Sequence, residues 1–225
     1  MSRPGIVQAA VVFDLDGTLI DSLPDLAAAV NRMLAAEGQP AMGLAEVQSH
    51  VGNGAPVLVA RVMAVRGLDM ARHAALSAAM IADYTRRSCD LTRPYPGVPE
   101  ALAALAGAGF RLGLCTNKPA APTAAILSDL GLAGFFGTVV AGDTLALRKP
   151  DPAPLHAARA ALGGGDCLFV GDSTVDALCA QAAGLPFAFF TGGYHQGDAS
   201  AIAAAARFDD HATLPAVARA LLGRP

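Results

Sequence analysis

Residues 9–19 read AAVVFDLDGTL, and the way this stretch is built decides the fold. Ala9–Phe13 is an unbroken apolar run, without the polar alternation of a strand that has one face in water. It therefore predicts a strand buried on both faces. The run stops at Asp14, and Asp14-Leu15-Asp16 leads into Gly17-Thr18, which is turn chemistry. Outward from here the same construction repeats. Apolar runs at Phe110–Cys115, Thr138–Ala141, Cys167–Gly171 and Phe187–Phe190 alternate with helical patterns at Val98–Ala106, Ala121–Leu130, Pro152–Leu162 and Thr174–Ala183. Buried strands separated by helices predict an α/β fold with a parallel sheet. Asp14, Thr116 and Asp172 follow three of these strands directly, and ligands collect at the carboxyl ends of such sheets.

One region departs from the alternation. Between Ser22 and Cys89 the pattern is helical throughout, at Asp25–Glu37, Leu44–Val51, Ala55–Val65 and Asp69–Arg87, and the alternation resumes after Pro94-Tyr95-Pro96-Gly97. The chain is thus expected to divide into an α/β core, residues 1–21 and 90–225, and an inserted α-helical cap, residues 22–89. Six arginines against five acids make the insertion slightly basic within a chain of net charge −3. That tilt suits a lid over an anionic substrate.

Composition narrows the function classes. The chain has 225 residues and is 53% hydrophobic, yet no basic run appears and the net charge is negative, so no nucleic-acid partner is expected. No stretch reads as a membrane span, and the apolar N-terminal stretch is too short for a signal peptide. Cys89, Cys115, Cys167 and Cys179 show no CxxC spacing. Free thiols in a reducing cytoplasm are expected. Of 16 basic residues only Lys118 and Lys149 are lysine, and both stand in loops beside acid-bearing strand ends.

The acids form two groups. Asp14 and Asp16 close the first strand; Asp172 and Asp176, in GDSTVD at 171–176, close another. Either group alone is explained by turn or helix-cap chemistry. Both on one sheet imply converging carboxylates, which repel unless they share a cation or a proton. Oxygen ligands without histidine favour a hard ion, and Mg²⁺ is the expected cofactor. Lysine, a compact charge with rotatable donors, suits a single phosphate oxygen.

DLDGT at 14–18, TNK at 116–118, RKPDP at 148–152 and GDSTVD at 171–176 together resemble the haloacid dehalogenase superfamily of phosphohydrolases, in order and spacing and over nearly the whole chain. The resemblance implies a Rossmann-like core with a helical cap inserted after the first motif. Val51-Gly52-Asn53-Gly54-Ala55, TNKP at 116–119 and Tyr95-Pro96-Gly97-Val98 are similar to bacterial phosphoglycolate phosphatases. Thr191-Gly192-Gly193-Tyr194-His195 departs from the usual family pattern.

By that resemblance Asp14 is the nucleophile and Asp16 the acid and base. Mg²⁺ is held by Asp14, the Asp16 carbonyl and Asp172, with Asp176 behind them. Thr116, the Asn117 amide and Lys149 hold the phosphoryl group. Asn53 and Lys118 are candidate substrate contacts, Lys118 equally a residue of the cap–core seam. The five histidines lack ligand spacing and read as structural or surface residues. The expected substrate is a small anionic phosphorylated metabolite, most simply 2-phosphoglycolate, handled by a monomer or homodimer. A sugar-phosphate mutase of the same superfamily, a phosphatase of another metabolite, and more distantly a phospho-receiver or binding module stand as alternatives.

Overall fold

The apolar run after Gln8 lies at the middle of a sheet because helices cover it on both sides. The computed structural model describes residues 8–223. In chain order its elements are β1 (Ala10–Phe13), β2 (Ile20–Asp21), α1 (Leu23–Ala36), α2 (Leu44–Gln48), α3 (Ala55–Arg66), α4 (His73–Arg86) and β3 (Arg93–Pro94). These are followed by α5 (Val98–Gly107), β4 (Arg111–Cys115), α6 (Ala120–Asp129), β5 (Thr138–Val140), α7 (Ala153–Ala161) and β6 (Cys167–Gly171). The chain then continues through α8 (Thr174–Ala183), β7 (Phe187–Phe190), β8 (Ala206–Phe208) and α9 (Leu214–Leu221).

Six strands form one sheet in the order β5-β4-β1-β6-β7-β8, and every pairing is parallel. Counted along this sheet alone, that is the doubly wound order, with β1 and β6 adjacent where the winding changes direction. Successive side chains of β1 enter opposite cores. Val11 and Phe13 join the cluster with Leu102, Leu105 and Leu127, whereas Ala10 and Val12 join Leu155, Ala158 and Ala180. Both faces being dry, the strand has no polar position, which is why its sequence is a run and not an alternation.

The helices begin and end where local chemistry allows. Pro24 and Asp25 occupy the first turn of α1, Gly67 closes α3 in the left-handed conformation (φ 64°), and Ser173 and Asp176 make a reciprocal capping box on α8. Helices α1–α4 pack on one another between β2 and β3, and their buried residues Leu34, Val59, Met63 and Met80 belong to the same apolar cluster as Phe13. No helix among the described residues is long and apolar enough to cross a membrane.

The two crossings into and out of this helical segment are tied together. β2 and β3 pair antiparallel, Ile20 opposite Pro94 and Asp21 opposite Arg93. The carboxylate of Asp25, 3% exposed, accepts the backbone N–H groups of Leu91 and Thr92 (2.9 and 2.7 Å) and the Thr92 hydroxyl (2.7 Å). Tyr194, from the far end of the chain, accepts the N–H groups of Ser22 and Leu23 and donates to Asp21. Its hydroxyl thereby caps α1, for which Ser22 supplies no side-chain cap.

The strands and helices expected from the apolar pattern are present with ends shifted by one or two residues, while Asp69–Arg87 resolves into a short 3₁₀ turn at Met70–Arg72 followed by α4 and Leu44–Val51 shortens to α2. Absent from the sequence-based expectation are β2, β3, β8 and α9. The strands are two or three residues long, too short to carry a period. The N-terminal apolar stretch, read as too short for a signal peptide, lies partly outside the described residues.

Removing the Asp25 carboxylate leaves the buried Thr92 N–H and hydroxyl unpaired, at about 1–3 kcal/mol each, and frees the part-buried Leu91 N–H. Asp25→Ala is expected to cost about 3 kcal/mol, a fall of roughly 6–12 °C in Tm for a chain of this size. Differential scanning calorimetry measures it, and an unchanged Tm would show that these bonds are not what joins the two crossings.

Candidate active site

β1 and β6 meet where the sheet changes direction, and each delivers carboxylates from its carboxyl end. Asp14 follows β1 directly, Asp172 follows β6, and Asp176 sits in the first turn of α8. One carboxylate oxygen from each of these three lies within 4.8 Å of the others. Asp16 shares the lining of the adjoining cavity with Asp14 and Asp172 but stands outside this triad.

The turn between Asp16 and Leu19 brings Thr18 round so that its hydroxyl donates to Asp172 Oδ1 (2.7 Å). Gly17 makes this possible: its φ is +83°, and a Cβ there would lie 2.4 Å from Asp172 Oδ2. From the other side the Tyr194 N–H donates to Asp172 Oδ2 (2.6 Å). Gly193 admits that approach, since a Cβ on it would lie 2.3 Å from both the Asp172 Cβ and the Gly17 carbonyl oxygen. The 191–195 segment, which departs from the family pattern in sequence, is therefore what fixes Asp172 from behind.

The two lysines divide the four acids between them. Lys149 Nζ reaches Asp14 Oδ1 at 2.9 Å and Asp176 Oδ1 at 2.6 Å. Lys118 Nζ donates to Asp16 Oδ1 (2.8 Å) and to the Tyr84 hydroxyl (2.7 Å), a residue of α4. Burial alone would push both lysines down, but the carboxylates beside them hold both above the usual lysine range. The acids do not gain equally. Burial raises Asp14 to about 6, outweighing Lys149, with Asp176 and Asp16 adding repulsion. Burial, then Asp176 and Asp14, pushes Asp172 well above the carboxylate range.

Four carboxylates face two ammonium groups, and a bound cation would favour the ionised form of the acids that burial and repulsion raise. The donor set, all carboxylate oxygen, fits Mg²⁺. Asp176 is the least available of the triad: Oδ1 receives Lys149, and Oδ2 receives the Ser173 N–H (3.1 Å) and hydroxyl (2.5 Å). Asp14 differs, because the Leu15 N–H and Lys149 both engage Oδ1 while Oδ2 accepts nothing among the described residues. Asp16 repeats the arrangement, with Ser22 and Lys118 both on Oδ1.

The Asn117 side chain has a structural task. Its carboxamide donates to the Lys149 carbonyl and accepts the Lys149 N–H, both at 3.0 Å. The side chain thus holds the Lys149 loop, and any bond from Asn117 to a phosphoryl group falls to its backbone N–H. Thr116 Oγ1 accepts the Lys118 N–H (3.2 Å) at the same turn.

The cavity over these residues measures about 210 Å³ and is walled on the far side by Val51–Ala55, Leu58, Arg61, Ile81 and Tyr84. Asn53 lines it and accepts a hydrogen bond from Arg61 (2.8 Å). His195 lines it too, and its Nδ1 is buried without a partner among the described residues. His211 is buried on the Thr18 carbonyl, His73 bonds the Pro56 carbonyl and His156 is exposed. The sequence assigns no role to Arg61 or Tyr84, and marks Tyr194 only as part of the stretch that departs from the family pattern. Only Arg61 carries a local signal, as the one polar side chain in the apolar run Pro56–Val65.

Comparison with known proteins agrees with this geometry. Residues 8–184 match the family model of haloacid dehalogenase-like hydrolases. A phosphoglycolate phosphatase of Cereibacter sphaeroides is 49% identical over 214 residues, covering 94% of this chain and 98% of its own. One from Rhodospirillum rubrum is 46% identical over 213 residues, covering 91% and 88%. The crystal structure of a Haemophilus somnus protein, described as a predicted phosphoglycolate phosphatase, superposes with a TM-score of 0.89 at 31% identity, covering 95% of this chain and 99% of that one. With its motifs at the carboxyl ends of β1, β4 and β6, the chain belongs to the haloacid dehalogenase-like hydrolases, and within them to the phosphomonoester hydrolases.

Proposed function

We propose that the protein is a Mg²⁺-dependent phosphatase that hydrolyses 2-phosphoglycolate to glycolate through an aspartyl-phosphate on Asp14. The observation that carries the mechanism is the bare Oδ2 of Asp14, held at the strand end by two donors on its other oxygen. The substrate reading rests on relatives of nearly half identity, over nearly their full length, that are named phosphoglycolate phosphatases.

A phosphate ester approaching a carboxylate at 4 Å meets about 4 kcal/mol of repulsion per unit charge at an effective dielectric of 20. Lys149, pinned by Asp176 and by the Asn117 carboxamide, lowers that barrier from the protein side. Mg²⁺, held by the Asp14 and Asp172 carboxylates and the Asp16 carbonyl, supplies further positive charge against the phosphoryl oxygens when bound. Thr116 Oγ1 and the Asn117 N–H add donors to the same oxygens. Asp14 Oδ2 forms the new P–O bond as the ester P–O bond breaks, and Asp16 gives its proton to the leaving alkoxide. Asp16, now ionised, takes a proton from the water that attacks phosphorus, releasing phosphate and restoring Asp14. The inserted helices, residues 22–89, act as the cap: they close the cavity over the reacting groups and exclude bulk water.

Asp14→Asn is expected to lower phosphate release by about 10⁴-fold or more while leaving the fold intact by circular dichroism. Turnover at wild-type rate would remove Asp14 as the nucleophile. A panel of 2-phosphoglycolate, hexose phosphates, pyrophosphate and nucleotides, with and without Mg²⁺, tests the rest. A tenfold preference for another ester retires 2-phosphoglycolate alone.

Binding of Mg²⁺ to the native state stabilises it by about 2.7 kcal/mol at a hundred times its Kd. Tm is expected to rise with Mg²⁺ concentration. Asp172→Asn, which removes a carboxylate from the cluster, should abolish the rise. A wild-type Tm indifferent to Mg²⁺ would exclude the cation from this cluster.

A further inference from the structure

The cavity has two ends of different character. Its floor carries Asp14, Asp16 and Asp172 with the groups that answer the phosphoryl charge. Two cations line it among the described residues, Lys118 and Arg61, and Lys118 is paired with Asp16. Arg61, on α3, has no carboxylate within 4 Å among the described residues. Four other arginines of the inserted helices do: Arg32 and Arg86 on Asp83, Arg66 on Glu46 and Arg72 on Glu37.

Arg61 is nevertheless held in place. Its guanidinium donates to the His50 carbonyl (3.0 Å) and to Asn53 Oδ1 (2.8 Å), both neutral acceptors. These take two of the five N–H donors and none of the charge. The loop that supplies them is itself seated on the core. Gly54 lies against the Asn117 carbonyl, where a Cβ would come within 3.0 Å, and the Gln196 carboxamide donates to the Ser49 carbonyl (2.6 Å). An oriented but uncompensated guanidinium, half-buried in the wall of an anion-binding cavity, is built for a second anion. A planar carboxylate suits its forked donors.

We infer that Arg61, oriented by Asn53 and the His50 carbonyl, binds a carboxylate at the end of the substrate remote from phosphorus, so that the enzyme selects small phosphorylated carboxylic acids over neutral phosphate esters of the same size. The inference rests on the phosphatase reading and adds the residue that sets its substrate class. It also assigns Asn53, expected to touch substrate, as a positioning residue for Arg61. A cavity of about 210 Å³ admits only a short spacer between the two charged ends.

The test measures kcat/KM for 2-phosphoglycolate, 3-phosphoglycerate and 2-hydroxyethyl phosphate on single preparations of the wild type, Arg61→Met, Arg61→Lys and Asn53→Ala. Loss of folded enzyme cancels in the ratio of the carboxylated to the neutral ester. That ratio is expected to be large in the wild type and to fall about 100-fold in Arg61→Met, mainly through KM, with a smaller fall in Arg61→Lys. Asn53→Ala should lower the ratio as well, and should have no further effect once Arg61 is Met. A ratio unchanged by Arg61→Met, or near one in the wild type, overturns the inference. If 3-phosphoglycerate proves the better substrate and the ratio still collapses, Arg61 keeps its role and the glycolate assignment falls. Absence of turnover of every ester would overturn the phosphatase reading and this inference with it.

Discussion

Four carboxylates crowd the carboxyl ends of two adjacent parallel strands, and the rest of the structure is arranged around the charge this creates. Asp14 and Asp172 are brought together by the pairing of β1 with β6, residue against residue from Ala10–Cys167 to Phe13–Val170. Burial and mutual repulsion raise both acids, so the cluster is unstable by itself at neutral pH. Lys149 offsets part of this by bridging Asp14 and Asp176. The carboxylates still outnumber the ammonium groups beside them, and an all-oxygen donor set of this kind fits a divalent cation. The well-packed sheet sustains this local electrostatic strain.

The supporting contacts have the same logic. Each reactive acid has one oxygen immobilised and the other left open, Asp14 by the Leu15 N–H and Lys149, Asp16 by Ser22 and Lys118. The two lysines are in turn positioned from a second layer, Lys149 by Asp176 and the Asn117 carboxamide, Lys118 by Tyr84 of the inserted helices. Through Lys118, then, the seating of α4 on the core is coupled to the orientation of Asp16. Tyr194 makes a comparable link, its N–H on Asp172 and its hydroxyl on the first turn of α1.

Charge is divided between the two halves of the cavity. The floor carries Asp14, Asp16, Asp172, Thr116 and Lys118 from the strand ends, whereas the far wall is largely apolar, with Leu58, Ile81 and the Val51 loop around the single guanidinium of Arg61. The surrounding apolar wall strengthens any ion pair made there by keeping the local dielectric low. The acids and the lone guanidinium of the lining thus come from different segments of the chain.

The α/β architecture was legible in residues 9–19 and their repeats because burial on both faces of a strand demands an unbroken apolar run, and that demand is written locally. The site acids were legible for a related reason: Asp14, Asp16, Asp172 and Asp176 stand at fixed offsets from strand ends, and Lys149 stood out in a chain with two lysines. By contrast, β8 is too short to show a period, and the pairings of Arg61 with Asn53, Lys118 with Asp16 and Tyr194 with the Ser22 N–H join residues whose local sequence is silent about a partner. Those contacts arise only when the inserted helices and the C-terminal loop are packed onto the sheet. Sequence by itself determined which chemical groups stand at the strand ends; tertiary structure decided which of them are paired, which oxygen stays open and that Arg61 meets neutral acceptors and no carboxylate among the described residues, because pairing depends on distances that packing sets.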